Sequence, residues 1–141
     1  DKTGTFEGAV HAGWRGTVLG ILPKVLVFLK DQLKIPGEDV IIAIGPGIGS
    51  CCLEVDNPVR EEFEKNGLEK VWDLYARTGR KSHWHLDIKA INQHQALQAG
   101  VKQSRIDVLP YCTSCDEDYF YSYRKEGLAA GRQVSYIMLK Q

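Results

Sequence analysis

Val10-His11-Ala12-Gly13-Trp14-Arg15-Gly16-Thr17 brings an apolar residue, a histidine, an arginine and two glycines to what reads as one strand-to-helix junction. Ahead of it, Phe6, Gly8 and Val10 alternate with Glu7, Ala9 and His11, the period-two pattern of a strand over residues 6–11. Behind it, Thr17 stands where an N-cap belongs, and Val18, Leu22, Val25, Leu29 and Leu33 recur at helical spacing, which predicts a helix over 17–34. Pro23 cannot donate to the carbonyl four residues back, so a kink is expected near Leu19. A strand feeding directly into a helix favours an α/β or α+β fold.

At such a junction His11 would lie beside a helix N-terminus, whose free N–H groups favour an anion. Gly13 and Gly16 let the backbone turn sharply and let another group approach. An imidazole can ligate a metal or move a proton, and the Arg15 guanidinium can grip phosphate or carboxylate through two parallel hydrogen bonds. The same residues also suit a core histidine, a packed tryptophan and a surface arginine. Spacing alone leaves both readings open.

Further along, Ile35–Asp39 reads as a turn and Val40–Ile44 as a short buried strand. It feeds Gly45-Pro46-Gly47-Ile48-Gly49-Ser50, whose spacing fits neither a dinucleotide fingerprint nor a Walker loop. That segment is either a tight turn or a row of backbone N–H groups, Gly47 among them, presented to a substrate. Asp56 or Asn57 caps a helix expected over 57–66 with Pro58 in its first turn, and Asp87 caps another over 88–99. Residues 66–82 read as irregular, anchored by Trp72, Leu74 and Tyr75. Short strands are expected at 106–109 and 134–139. His83 and His85 have the spacing of a chelating pair on one strand face, although their flanks read as loop.

With 141 residues, 43% of them hydrophobic, the chain has the size of one domain with a real core. Eighteen basic and eighteen acidic residues cancel, which leaves no electrostatic footprint for nucleic acid or an anionic membrane. No apolar stretch is long enough for a helical membrane span. The cysteines fall as an adjacent pair, Cys51-Cys52, and one Cys112-x-x-Cys115, and are expected to be thiols of a cytoplasmic protein. With no second Cys-x-x-Cys, a structural zinc held by four cysteines is not expected.

Taken together, His11-Ala-Gly-Trp-Arg-Gly16, Ile44-Gly-Pro-Gly-Ile-Gly49, Cys51-Cys-Leu-Glu-Val55, Leu86-Asp-Ile88 with Asn92, Cys112-Thr-Ser-Cys115, and Tyr121-Ser-Tyr-Arg-Lys125 with Gly131-Arg132 resemble the YfiH/YlmD family. It is also called the polyphenol oxidase or laccase-domain family and includes FAMIN-like purine enzymes. The resemblance implies a layered sandwich of mixed β-sheets flanked by helices. Because the family's domain begins upstream of the His-Ala-Gly-Trp-Arg motif, residues 1–141 are expected to be the C-terminal part of a single domain. It implies a mononuclear zinc site of two histidines and a cysteine, with His11 the one ligand inside this sequence. Three protein ligands leave a position at which zinc lowers the pKa of water to about 7, suited to attack on C6 of adenosine.

The resemblance also implies phosphorolysis of adenosine, inosine, guanosine and methylthioadenosine, so purine nucleosides and phosphate are the expected partners. A second copy of the chain, as a homodimer, is a further candidate. Arg15 is the first candidate for holding phosphate and Arg124 the second, with Gly47 as a substrate contact. Copper at the same site is the less favoured metal, since four histidines do not supply the imidazoles that a multi-copper oxidase needs. Two other readings stand beside this one. Cys52 or Cys51 would be the nucleophile of a cysteine hydrolase with His11 as its base, or the chain would be a catalytically empty structural fragment.

Overall fold

The computed structural model describes residues 1–139. Its elements in chain order are α1 (Trp14–Val18), α2 (Ile21–Leu33), β1 (Ile42–Ile44), β2 (Glu54–Asp56), α3 (Asn57–Lys65), α4 (Glu69–Tyr75), β3 (Ala76–Thr78), β4 (His83–Leu86), α5 (Ile88–Gln98), β5 (Ile106–Val108) and α6 (Tyr123–Glu126). Helices and sheets are mixed, as the α+β reading requires. The described residues group into two compact units, one of residues 1–45, 92–108 and 135–139, the other of 46–91 and 109–134.

The first unit is built on α2. Leu26 and Leu29 pack with Val40, Ala96, Val101 and Ile106, while Phe6, Leu22, Val25 and Ile35 close around them. Two strands lie against this cluster, with β1 and β5 paired in parallel so that Ile42 faces Ile106 and Ile44 faces Val108. The opposite face of α2 is open, with Val27 56% and Phe28 54% exposed.

Four expectations fail here. Residues 6–11 form no strand, and of them Phe6 alone is half-buried. Alternation marks a segment fit for pairing, but a strand exists only when a neighbour completes its hydrogen bonds, and no described strand does so here. Residues 134–139, expected as a closing strand, are likewise irregular and exposed. The single kinked helix over 17–34 is two helices, because Gly20 adopts a left-handed conformation (φ 68°) between α1 and α2. Pro23 then falls in the first turn of α2, where its missing N–H would have had no partner anyway. Thr17 is no N-cap; it lies inside α1, fully buried.

The second unit carries a three-stranded antiparallel sheet in the order β2-β4-β3. Its core is aromatic. Phe63 of α3 meets Trp72 of α4 edge-on with ring centroids 5.3 Å apart, and Trp72 meets Trp84 of β4 at 5.6 Å. Phe63 and Leu86 are fully buried. The stretch expected to be irregular thus holds α4 and β3, and of its three expected anchors Leu74 is 67% exposed. Asp87 caps α5 as expected, its Oδ1 accepting from the Ala90 N–H at 3.0 Å.

Candidate functional site

The junction singled out in the sequence is a tight turn braced from beneath. Thr17 Oγ1 accepts a hydrogen bond from Asn92 Nδ2 at 2.9 Å and donates to the Ala12 carbonyl, while Gln95 Nε2 donates to the Thr17 carbonyl at 2.9 Å. Thr17, Asn92 and Gln95 are all buried, so these bonds form away from water, where a lost partner is expensive. The brace leaves His11 and Arg15 exposed above it. A side chain on Gly13 would put its Cβ 2.9 Å from His11 Nε2, so glycine is what lets the imidazole lie over the turn. The Arg15 guanidinium stacks on the Trp14 ring at 4.3 Å, which restrains it while leaving its N–H edges for an anion.

Thr17→Val keeps the shape but removes the hydroxyl. It should cost about 1–3 kcal/mol in urea unfolding, since the Asn92 amide loses its buried acceptor, whereas Thr17→Ser should cost less. Equal losses for the two variants would mean that the methyl group, not the hydrogen bonds, carries the brace.

In the second unit the structure assembles something the sequence reading had set aside. The glycine-rich loop curls so that the Gly49 carbonyl accepts from the N–H groups of Cys52 and Leu53, and Gly47 bridges to Cys112 while its carbonyl accepts from Thr113. This turn, with a second one closed from Cys115 N–H to the Cys112 carbonyl, places Cys51, Cys52, Cys112 and Cys115 with all four Sγ atoms within 4.8 Å of one another. Cys115 Sγ lies 3.5 Å from Cys51 Sγ and 3.3 Å from Cys52 Sγ, and all four are free thiols.

Burial acts to raise the Cys112 thiol. Hydrogen bonds from the backbone N–H groups of Gly49, Ser114 and Cys115 and from the Cys51 thiol outweigh it and lower Cys112 to about 6. Cys115 moves the other way, pushed up by Cys52 first and then by Cys51 and Cys112. The negative charge of the group therefore settles on Cys112, where the N–H groups converge.

The remaining candidates are dispersed. Arg124 is exposed and donates from Nη1 to the Glu54 carbonyl at 2.8 Å, beside an open cleft of about 270 Å³ that Ile48, Leu53, Thr113 and Tyr121 also line. His83 and His85 lie on β4, but each Nδ1 meets a backbone carbonyl, of Lys81 and of Ser50, both at 2.9 Å. Gly47 holds the cysteine loops together through its carbonyl; its expected contact with a substrate remains a proposal.

The zinc site implied by the resemblance is not complete in these residues. Among the described residues, the group of histidine, cysteine and acidic side chains close enough to share one ion is the four cysteines, and His11 belongs to no such group.

A family model described as multi-copper polyphenol oxidoreductase laccase matches residues 1–140. A purine nucleoside phosphorylase of Bacteroides thetaiotaomicron is 35% identical over 139 residues, which cover 99% of this chain and 51% of that protein. The purine nucleoside phosphorylase YlmD of Geobacillus stearothermophilus is 38% identical over 92% of this chain and 47% of its own length. An adenosine deaminase from an unknown prokaryotic organism is 32% identical over 92% of this chain and 49% of its own. The crystal structure of Bacillus licheniformis hypothetical protein YfiH matches with a TM-score of 0.76 at 33% identity, over 82% of this chain and 43% of that one. The chain spans about half the length of the curated relatives it matches.

Proposed function

Because the chain belongs to the family described as multi-copper polyphenol oxidoreductase laccase, we propose that it supplies one wall of the active site of a zinc-dependent purine nucleoside enzyme. The enzyme would cleave adenosine, inosine, guanosine and methylthioadenosine with phosphate and would deaminate adenosine. The names of the relatives, two of them purine nucleoside phosphorylases and one an adenosine deaminase, support the class of reaction. The observation that carries the reading to residues is the braced turn, which turns His11 and Arg15 outward together. The other metal ligands would come from residues outside this chain.

In phosphorolysis a phosphate oxygen bonds to C1′ of the ribose as the bond from C1′ to the purine nitrogen breaks. The anion must be held in line for that displacement. Arg15 would do so with two parallel N–H···O bonds, its plane already fixed on Trp14, so little freedom is lost on binding. Arg124 is the second candidate, since one bond to Glu54 leaves a five-donor guanidinium most of its capacity. Deamination replaces the amino group by the oxygen of water, releasing ammonia, and requires no phosphate.

The test joins this chain to the remaining half of a relative and measures both reactions. Arg15→Ala should lower kcat/KM for phosphorolysis about 10- to 100-fold, the loss of one charge-assisted contact, and leave deamination within a few-fold. Equal loss of both reactions in a folded protein would remove phosphate binding from Arg15.

A further inference from the structure

The nucleoside reading makes no use of the four thiols gathered in the second unit. We propose that Cys51, Cys52, Cys112 and Cys115 form a closed tetrathiolate site for a structural zinc ion, separate from any site at His11.

Zn–S bonds are about 2.3 Å long, so a tetrahedral site sets its sulfurs about 3.8 Å apart. The separations of 3.3 and 3.5 Å to Cys115 fall within a few tenths of an ångström of that spacing, and with all four sulfurs inside 4.8 Å the remaining pairs reach it by shifts of about 1 Å or less. They are too close together to enclose an iron–sulfur cluster with bridging sulfides. Four soft donors favour zinc over hard cations, and four protein ligands fill its coordination sphere, leaving no position for water.

Local backbone structure serves the same end. Neighbouring cysteines on an extended strand point to opposite faces, but the turn closed by the Gly49 carbonyl lets Cys51 and Cys52 both reach Cys115. A Cβ at Gly49 would lie 3.2 Å from both the Cys112 Cβ and the Cys51 Sγ, so the close approach depends on glycine. The Gly49 N–H donates to Cys112 Sγ at 3.2 Å, the kind of second-layer bond that stabilises a metal-bound thiolate. Asp116 Oδ2 accepts from the Cys112 N–H at 2.8 Å and fixes the turn that carries the other two ligands.

The full chain, purified without a histidine tag under reducing conditions, should contain one zinc per molecule by elemental analysis. Cobalt(II) in its place should give the intense near-ultraviolet thiolate-to-cobalt band and the visible bands of a tetrahedral site. Cys115→Ser, at an exposed position, should lose the band and the zinc, while His11→Ala keeps both. Should the cysteine variant fail to fold, the unaltered chain decides: zinc should protect all four thiols from alkylation, and a chelator should expose them. Copper or iron in place of zinc, zinc that survives Cys115→Ser, or thiols alkylated equally with and without zinc would each overturn the site. None of these measurements depends on turnover of a nucleoside.

Discussion

Phe63→Ala should destabilise the second unit by about 3–5 kcal/mol, a large share of an ordinary domain's margin of about 5–15 kcal/mol. The ring is fully buried and meets Trp72 edge-on, and Trp72 in turn meets Trp84 of the central strand. Removing it both loses the transfer energy of the ring and leaves a void against the Trp72 indole, which is itself held by Trp84. Phe63→Leu should recover part of the loss by refilling the space. Tryptophan fluorescence during urea unfolding reads this directly, because Trp72 borders the void and Trp84, another of the chain's three tryptophans, packs on Trp72. A shift under 1 kcal/mol would mean that the aromatic stack is not the core of this unit.

In the first unit the corresponding result is Leu26→Ala, with an expected loss of about 2–5 kcal/mol. Leu26 is 4% exposed and packs among Leu29, Val40, Ala96, Val101 and Ile106. Two residues further along the same helix, the larger Phe28 is 54% exposed, and Phe28→Ala should fall within about 0.5 kcal/mol of no change. Size alone would rank the two the other way, so the pair tests the assignment of the buried face of α2. Comparable losses for both would mean that Phe28 is covered in solution.

Legibility in the sequence followed the range of the physics. α3 and α5 were readable because apolar period and cap signals agree locally, and the Asp87 cap is realised in the structure. The strands expected at 40–44 and 106–109 are found at Ile42–Ile44 and Ile106–Val108, because short β-branched runs between turn signals mark strands, but burial on both faces does not follow, since Ile41 and Asp107 are exposed. Residues 6–11 carry the same kind of local signal without a described pairing partner, and pairing is not a local property. α4 was missed because Trp72 alone of its apolar side chains is buried, so it shows no period. His11 and Arg15 could be found by type and spacing, but the brace under them depends on Asn92 and Gln95, more than seventy residues away. The cysteine cluster was passed over because the second pair is adjacent, not Cys-x-x-Cys. The signal that could have found it was the run of glycines at 45, 47 and 49 just before that pair, which frees the backbone to curl.

The parallel pairing of β1 with β5 also has a consequence during synthesis. β1 leaves the ribosome about sixty residues before its partner, and at about 5–20 residues per second that is a delay of about 3–12 s. Throughout it, Val40-Ile-Ile-Ala-Ile44 is a nascent apolar strand with an unclaimed edge, the form of chain on which intermolecular pairing begins. The second unit, most of it encoded within that interval, can fold locally first and draw the ends of the gap together before β5 emerges. Slowing translation between the codons for residues 46 and 105 should therefore lower soluble yield more than the same pause placed after residue 108.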